Sequence, residues 1–506
     1  MLFNSYIFIF CFLPIVLCGW YGLNHFGRYR SAQLFLLLMS LWFYGYYHPA
    51  YVILILFSIS GSWLASLCME KTGKRKLFGW LGILFHLGIL FYYKYYDFFV
   101  QNVNSVFKTD WVIRNIMLPL GISFFTFQQI SFVADRMRGE APHYSMIEYM
   151  SYVVYFPQLI AGPIVSHSDL IPQFQGEECR KFRWENLLYG IRLFTAGLAK
   201  KILLADELGA LVDAGYENVA ALDTPGAFLV MLGYTFQIYL DFSAYSDMAM
   251  GLAKMMGISL PVNFRSPYKA RSVREFWRRW HITLSAFFTK YVYIPLGGNR
   301  VGKVRLIRNT LIVFFLSGLW HGADWTFVLW GLLHGVMISL ENIWGWRKQP
   351  DKDDTALSGI CEDRPAGQVK KRSLGRWLVT FGFVNLAWVL FRSDSLGTAV
   401  LFYKRLVSFT YNGTIWRFGQ AMKNWRNDLL YQLADKIGGY TAGRALCIAW
   451  MLLIFGLAAA LCKGSDLYEW AKKKPAGCIQ MCGLAVLFCL CVLSFSGLTV
   501  FLYFNF

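Results

Sequence analysis

The chain has 506 residues, of which 56% are hydrophobic and only 16% are charged. This composition excludes an ordinary soluble multidomain protein, because repeated apolar runs of about 18 residues or more are long enough to cross the roughly 30 Å hydrocarbon core of a bilayer. The formal net charge of +19 is concentrated in loops between those runs, as the positive-inside rule expects, which argues against nucleic acid as a partner. The composition therefore predicts a polytopic membrane protein.

Apolar runs and basic loops alternate along the first hundred residues. The run 5–23 has no Lys or Arg before it and no small-residue cleavage site after it, so we expect a retained span and not a removable signal peptide. An apolar hairpin at 32–67 and a further span at 77–93 flank the basic loop 70–76. If the basic loops face the cytoplasm, the N-terminus faces the opposite side.

Two of the following apolar runs are interrupted. Gln128 and Gln129 lie within the run 118–132, and because paired amides at membrane depth must find partners, this segment is expected to face protein or a water-filled cavity. Two prolines and a glycine break the run 146–165, which favours a kinked or re-entrant element lining an opening. The alternative for the second run is a simple helix end followed by a turn.

A polar stripe marks the apolar segment 227–256. Gln237, Asp241 and Tyr245 recur every four residues, so on a helix they share one face. Since a carboxylate on an otherwise apolar helix usually turns towards the bundle interior, we expect these side chains to shape a substrate passage. The alternative is that a pair of helices ends near Asp241 and leaves its carboxylate in water.

A basic and aromatic stretch follows at 271–280. Its pattern predicts a helix that lies in the plane of the membrane interface, with basic side chains on one side and aromatic ones on the other. The basic side chains either bind anionic lipid headgroups or contact the phosphates of an acyl donor or the acidic face of an acyl carrier. The residues in question are Arg271, Arg274 and Arg278.

Two Trp-His dipeptides, Trp280-His281 and Trp320-His321, are the strongest functional signal. The second lies in a segment otherwise apolar enough for lipid, where an ionisable side chain is energetically costly. An imidazole in apolar surroundings stays neutral, ready to accept a proton from a hydroxyl and return it. A lone histidine in an apolar helix is usually a hydrogen-bonded core residue, but the repeated dipeptide favours a catalytic pair, with both tryptophans and Asp324 lining the passage.

Other mechanisms lack support in the sequence. It contains no nucleophile elbow, P-loop or HExxH motif, and its eleven cysteines match no zinc-binding spacing, so neither a serine-based nor a metal-based mechanism is predicted. His334 follows His321 by thirteen residues and lies off its face on a straight helix, so we expect it to stand outside the site. His167 is a weaker candidate.

The C-terminal half continues the apolar pattern. Further helices are predicted at 311–319, 325–340, 377–391, 442–461 and 477–502, and a polar loop, expected on the cytoplasmic side, at 346–376. The sequence as a whole predicts an all-α polytopic protein with about ten to twelve transmembrane helices in one domain over 1–506.

A resemblance to the membrane-bound O-acyltransferase family rests on three segments: TFQIYLDFSAYSDMAMGLAKMMGI, NFRSPYKARSVREFWRRWHITLSAFFTKYVYIPLGGNR and GLWHGADWTFVLWGLLHG. GISFFTFQQISFVAD, YFPQLIAGPIVSHSDLIPQF and FLYFNF are similar to the bacterial branch that includes alginate O-acetylation proteins. The resemblance implies spans and interfacial helices ringed around a central tunnel. It also implies that His321 is the catalytic residue and His281 the second active-site position.

The same resemblance implies the reaction. An acyl group, in the first instance acetyl, would pass from a cytosolic thioester such as acetyl-CoA across the bacterial inner membrane for O-acetylation of an exported, alginate-like polysaccharide, with an extracytoplasmic esterase-like transferase as partner and no bound cofactor. His321 would deprotonate the attacking hydroxyl, and His281 would orient or polarise the acyl carbonyl. One alternative is D-alanyl transfer from a carrier protein to teichoic acid. The other is a transporter or polysaccharide export protein, for which internal inverted repeats are expected and none is visible.

Overall fold

The protein is described by a computed structural model that covers residues 1–299, 302–343, 374–464, 466–473, 477–495 and 501–502. Every regular element within these ranges is a helix, and they contain no strand, which confirms the predicted all-α class. The first twelve α-helices are α1 Leu13–His25, α2 Tyr29–Gly45, α3 Ala50–Thr72, α4 Arg75–Leu90, α5 Tyr96–Phe107, α6 Ile122–Arg138, α7 Met146–Val154, α8 His167–Gln175, α9 Glu177–Arg180, α10 Trp184–Ala199, α11 Asp206–Glu217 and α12 Thr224–Met255.

The remaining α-helices of the described residues follow α12, and the first three of them contain or flank the two Trp-His dipeptides. They comprise α13 Val273–Arg279, α14 Ile282–Phe288, α15 Lys303–His321, α16 Trp325–Ile343, α17 Leu374–Arg392, α18 Leu396–Leu406, α19 Ile415–Ala421, α20 Trp425–Lys463, α21 Leu467–Lys472 and α22 Cys478–Leu493. Most of the predicted loop 346–376 lies outside the described residues; its last three residues are helical, because α17 begins at Leu374.

The described residues form two compact units. One is drawn from Met1–Glu207, Gln237–Val262 and Ser465–Phe506, and the other from Leu208–Phe236 and Asn263–Gly464. Helix α12 contributes its first part to the second unit and the remainder to the first unit. A single domain over 1–506 stays a prediction.

Seven helical segments in the described ranges are long and apolar enough to span a membrane, fewer than the ten to twelve expected. They are Phe8–His25, Ala50–Thr72, Arg75–Phe107, Thr224–Met255, Trp325–Ile343, Leu374–Arg392 and Thr441–Lys463. The difference has a simple cause: several expected spans are helical but short or polar. Helices α2 and α6 have 17 residues each, and α15 begins with a basic stretch.

The interrupted runs of the first unit behave as their composition predicts. Gln129 is fully buried in α6, and its side-chain nitrogen donates a hydrogen bond to Ser58 Oγ, 2.8 Å away, so the amide faces protein. Helix α7 begins at a capping box formed by Ser145 and Glu148 and ends at Val154. The non-helical segment 155–165 that follows is almost entirely buried, which confirms a break in the run 146–165.

Candidate active site

The structure brings the two predicted imidazoles together in the second unit. The ring centroids of His281 and His321 lie 6.5 Å apart, with the ring planes inclined at 62°. Relative exposure is 0% for His281 and 1% for His321, so both rings are shielded from solvent. Forty residues of sequence separate the two side chains, and their proximity therefore depends on the tertiary fold.

His281 occupies a sharp turn between two short helices. Helix α13 is capped by Ser272, whose Oγ accepts a hydrogen bond from the Glu275 amide, and it ends just before Trp280. His281 then adopts the left-handed conformation, with φ of 46° and ψ of 53°, and serves as the N-cap of α14. A non-glycine residue in this region is strained, and such residues cluster at functional sites.

Hydrogen bonds to Asn263 stabilise the turn at His281. Its backbone carbonyl accepts a hydrogen bond from the Ile282 amide at 3.0 Å. Its side-chain Oδ1 accepts from the amide and the hydroxyl of Thr283, at 3.2 and 3.0 Å. The same Oδ1 lies 3.2 Å from Nδ1 of His281. One buried asparagine thus fixes both the backbone turn and the orientation of the imidazole.

The electrostatic state of His281 follows from its burial. Removal from water disfavours the imidazolium and lowers the pKa of His281 from its ordinary value of 6.5 to about 3. The ring is therefore neutral throughout the physiological pH range. A neutral imidazole in dry surroundings is the form that acid–base catalysis requires of a proton acceptor.

His321 is the last residue of α15 and sits in an aromatic cage. Its centroid lies 4.8 Å from Trp320, 5.0 Å from Trp330 and 5.2 Å from Phe391. The next residue must be small, since a Cβ on Gly322 would come within 2.2 Å of the Phe327 ring. The cage and this close approach hold the imidazole in one place.

The other residues of the two dipeptide regions have different surroundings. Trp320 contacts both histidines, with its centroid 5.7 Å from His281 and 4.8 Å from His321. Trp280 is fully buried and stacks on Phe276 at 5.6 Å as part of the aromatic core. Asp324 accepts a hydrogen bond from the Thr326 amide through Oδ1, at 2.8 Å, and so caps the start of α16. Of Trp280, Trp320 and Asp324, it is thus Trp320 whose ring contacts both imidazoles.

His334 is separated from His321 by an aromatic ring. Trp330 packs at 5.0 Å against each of the two histidines. Nδ1 of His334 accepts a hydrogen bond from the indole N–H of Trp277 at 3.2 Å, which is a structural contact in the core. His334 accordingly lies beside the pair, but the argument from one straight helix does not apply, because His321 ends α15 and His334 lies on α16.

The basic stretch forms a seven-residue helix, α13, whose N-terminal amides are already occupied. The amides of Val273 and Arg274 donate to the carboxylate of Glu341 at 2.6 and 3.1 Å. The guanidinium of Arg274 donates to the side chain of Asn342, whereas Arg278 is exposed and Arg271 is half-buried. These amides are therefore not free to bind an anion, and a contact of the three arginines with a donor or a carrier stays a prediction.

The polar stripe lies in the first unit and is buried on α12. Asp241 is only 2% exposed, so the alternative of a carboxylate in water is wrong. Its Oδ1 lies 2.7 Å from Nζ of Lys201, which also pairs with Asp206 at 2.9 Å. Tyr245 stacks on Phe3 at 4.9 Å, and Gln237 is likewise buried. These contacts give Asp241 a structural ion pair, while a role of the stripe in a passage stays a prediction.

A further question is whether the described residues could bind a metal ion. Among the residues that the structure describes, no group of three or more His, Cys, Asp or Glu side chains could hold a metal ion.

The sequence did not predict three residues that contact the two imidazoles directly, namely Asn263, Trp330 and Phe391. Asn263 begins the segment NFRSPYKARSVREFW, which carries the family resemblance, but nothing in the sequence indicates that its side chain contacts His281.

The sequence matches a known protein family and is similar to several individual proteins. The sequence model of the membrane-bound O-acyltransferase family matches residues 122–356, a range that includes both histidines. A peptidoglycan O-acetyltransferase of Helicobacter pylori is 34% identical over 545 aligned positions, which cover 100% of this chain and 98% of that protein. A probable alginate O-acetylase AlgI of Pseudomonas aeruginosa is 36% identical over 81% of this chain and 75% of its own length. A teichoic acid D-alanyltransferase of Streptococcus thermophilus is 28% identical over 55% of this chain and 69% of its own length. The chain belongs to the membrane-bound O-acyltransferase family, and it is a multi-pass membrane acyltransferase.

Proposed function

We propose that this protein transfers acetyl groups from acetyl-CoA, or another cytosolic thioester, to the hydroxyl groups of an exported polysaccharide, and that it does so in the bacterial inner membrane. The observation that carries this proposal is the buried pair of imidazoles, His281 and His321, 6.5 Å apart. A direct hydrogen bond between two imidazoles would bring the centroids to about 5 Å. The longer separation suits a single oxygen atom held between the rings, as an attacking hydroxyl would be.

The chemistry needs one proton acceptor and one group directed at the acyl carbonyl. The hydroxyl oxygen attacks the thioester carbonyl, the new C–O bond forms, and the C–S bond breaks to release a thiolate. The proton of the hydroxyl passes to an imidazole and then to the leaving sulfur, so no external acid or base is consumed. The family resemblance implies that His321 is the base and that His281 contacts the carbonyl. A buried, apolar setting strengthens both interactions.

The relatives suggest which acceptors to test. A relative that matches over the entire chain is named for peptidoglycan, whereas the alginate relative from Pseudomonas aeruginosa matches over 81% of the chain. Peptidoglycan is therefore the first acceptor to test, and the alginate-like polymer expected from the sequence is the second. In either case an extracytoplasmic esterase-like transferase is the proposed partner, and it would complete delivery to the polymer.

Reconstitution in lipid vesicles tests the proposal. Purified protein is incorporated, acetyl-CoA labelled in the acetyl group is supplied on one side, and peptidoglycan fragments or alginate oligomers are supplied on the other, with and without the partner. Label in the polysaccharide supports the function. Transfer from an alanyl-loaded carrier, with none from acetyl-CoA, would favour D-alanylation instead. Movement of polysaccharide that needs no thioester would point to a transporter.

A further inference from the structure

The first unit has a basic surface formed by two segments of the chain. One is the turn 25–30 between α1 and α2, and the other is 177–184, which contains α9 and the first residue of α10. Trp20 of α1 holds the second segment against α1, because its indole N–H donates a hydrogen bond to the carbonyl oxygen of Cys179 at 3.1 Å. The two segments carry five cationic side chains, namely Arg28, Arg30, Arg180, Lys181 and Arg183.

This surface lies where the chain meets the edge of the membrane. The candidate span Phe8–His25 ends at the turn. Because Lys and Arg are concentrated in the cytoplasmic loops of membrane proteins, the positive-inside rule assigns both segments to the cytoplasmic side. The cations therefore face the headgroups of the cytoplasmic leaflet.

The turn presents its arginines from a fixed backbone. Gly27 has φ of 70°, and its amide and that of Arg28 donate hydrogen bonds to carbonyl oxygens in the last turn of α1, both at 3.0 Å. This pattern is a Schellman motif, in which glycine supplies the left-handed residue that ends the helix. Helix α2 begins at Tyr29, so Arg28 and Arg30 flank Tyr29 at the start of the new helix.

Two of the five cations are neutralised by neighbouring carboxylates. Lys181 pairs with Glu177 at 2.9 Å, and Arg183 pairs with Glu178 at 3.3 Å. A third glutamate, Glu185, lies in the first turn of α10, where a helix N-terminus stabilises a carboxylate. The remaining three cations form no ion pair with any carboxylate that the structure describes; they are Arg28, Arg30 and Arg180.

Arg180 is already oriented for an anion. Its guanidinium carbon lies 4.1 Å from the centroid of the Tyr29 ring, so one face of the planar group is stacked on an aromatic platform. Nε of Arg180 is buried and has no hydrogen-bond partner in the described part of the chain. Because a buried N–H without an acceptor is energetically costly, this edge of the guanidinium calls for an acceptor from a ligand. Phosphate oxygens are suitable acceptors, since arginine binds them through two parallel hydrogen bonds.

Exposed aromatic side chains next to the cations indicate that the phosphate belongs to a lipid. The ring of Phe182 packs against Tyr21 at 5.3 Å and against Trp184 at 5.0 Å. Trp184 is 69% exposed and Phe26, in the turn, is 77% exposed. Aromatic rings are enriched at the level of the lipid headgroups, where they meet apolar chains on one side and water on the other. A phosphate compound dissolved in the cytosol needs no such apolar surroundings.

We propose that Arg28, Arg30 and Arg180 form a binding site for the phosphodiester headgroup of an anionic phospholipid in the cytoplasmic leaflet. Tyr29 holds the Arg180 guanidinium in place, and the exposed aromatic rings contact the lipid beside the headgroup. The site is independent of acyl transfer, because it includes neither of the two histidines. A bound lipid bridges the turn and the segment 177–184, so it should also stabilise the first unit.

Native mass spectrometry of the full-length protein in a neutral detergent tests the site. The probe is phosphatidylglycerol, and phosphatidylcholine with the same acyl chains is the uncharged comparison. Wild type should bind phosphatidylglycerol more tightly by on the order of tenfold or more. Each change of arginine to glutamine should weaken that binding about fivefold, and Arg28→Gln, Arg30→Gln and Arg180→Gln together on the order of a hundredfold.

A matched control distinguishes a site from a general effect of charge. Lys71→Gln, Lys74→Gln and Lys76→Gln remove three exposed cations from the basic loop 70–76 and should change the affinity by less than about threefold. Equal losses in the two triple variants would overturn the proposal. If the triple arginine variant does not fold, Arg28→Gln with Arg30→Gln gives the same test, because both side chains are exposed.

Two further measurements examine the geometry and the source of the phosphate. Arg180→Lys keeps the charge but loses the planar fork, so it should weaken phosphatidylglycerol binding about threefold or more. Coenzyme A is the competitor, since it carries phosphates in water. It should leave bound phosphatidylglycerol in place; displacement of the lipid by coenzyme A would assign the arginines to a soluble phosphate compound and overturn the lipid site.

Discussion

Gly331 lies against Gly318 where helices α15 and α16 cross, so that a Cβ added to Gly331 would come within 3.0 Å of the Cα of Gly318 and 2.3 Å of the carbonyl oxygen of Phe314. These neighbours are backbone atoms, which cannot swing aside as a side chain can. The crossing matters for the candidate site because Trp330, next to Gly331, packs against His321. The distance between two glycines thus sets the position of the aromatic cage.

We expect Gly331→Ala to push α15 and α16 apart. The overpacking should lower stability by about 1–3 kcal/mol and reduce acetyl transfer, because the cage around His321 opens. Thermal unfolding in detergent and the vesicle assay measure the two effects. Gly382→Ala in α17 is the matched control, since its added Cβ would meet no atom within 4 Å and should be neutral or slightly stabilising. Equal unfolding temperatures for the two variants would contradict this account.

The pair of imidazoles could be predicted because its signal lies within two short stretches of sequence. The repeated Trp-His dipeptide stands out in one sequence, and an ionisable group within an apolar run is rare enough to be noticed. The polar stripe of Gln237, Asp241 and Tyr245 was equally readable from helical spacing, and all three side chains are buried as expected. Features that depend on residue spacing within one element could therefore be predicted from the sequence.

Contacts between residues that are distant in the sequence could not be predicted. Asn263 acts on Thr283, twenty residues later, because the chain folds back between them, and no periodicity marks that contact. The partner of Asp241 is Lys201, forty residues earlier, which the helical pattern could not reveal. Among the described residues, some expected spans are shorter than the seven long apolar helices, since apolar runs that pack inside protein need not be long enough to cross a membrane.

Replacement of His321 tests the centre of the site. We expect His321→Ala to lower acetyl transfer roughly 10²–10⁴-fold, because either a proton acceptor or a carbonyl contact is lost from the reaction. Expression and thermal unfolding should change little by comparison. His48→Ala, at an exposed position, is the control and should transfer at the wild-type rate. Transfer by His321→Ala within a factor of two of wild type would remove this residue from the mechanism.

Asp223 clamps a loop of the second unit and should be important for stability. Its carboxylate accepts hydrogen bonds from the amides of Gly226, Asn412 and Gly413 at 2.9 to 3.0 Å, and also from the Thr414 hydroxyl. Asp223→Ala leaves several buried donors unsatisfied and should lower the free energy of unfolding by about 1–3 kcal/mol or more. Asp213→Asn, which breaks a surface pair with Arg392, should have a smaller effect in the same unfolding assay.

The Asp223 clamp should also weaken in acid. Burial alone would raise the pKa of Asp223, but the hydrogen bonds from Thr414, Asn412 and Gly226 outweigh it and hold the pKa below the ordinary value of 3.8. The folded state thus binds this proton less readily than the unfolded state does. The contribution is complete above pH 3.8 and is lost as the pH falls through the lower folded value. Asp223→Asn should show less loss of stability than wild type between pH 5 and 3; an identical pH profile would exclude the clamp as its source.

The ion pair between Lys201 and Asp241 allows a final test, which separates structure from function on α12. Both side chains are 2% exposed, and Oδ2 of Asp241 also accepts the Leu502 amide at 2.9 Å. Asp241→Ala should destabilise the protein by about 1–3 kcal/mol, because the buried ammonium of Lys201 loses one carboxylate but keeps Asp206, whereas the double variant Lys201→Met with Asp241→Leu should recover part of that loss. Unfolding of the single and double variants measures the coupling. If the double variant is stable and transfers acetyl groups at the wild-type rate, the pair is structural; if it is stable and inactive, the polar stripe takes part in substrate passage as the sequence predicts.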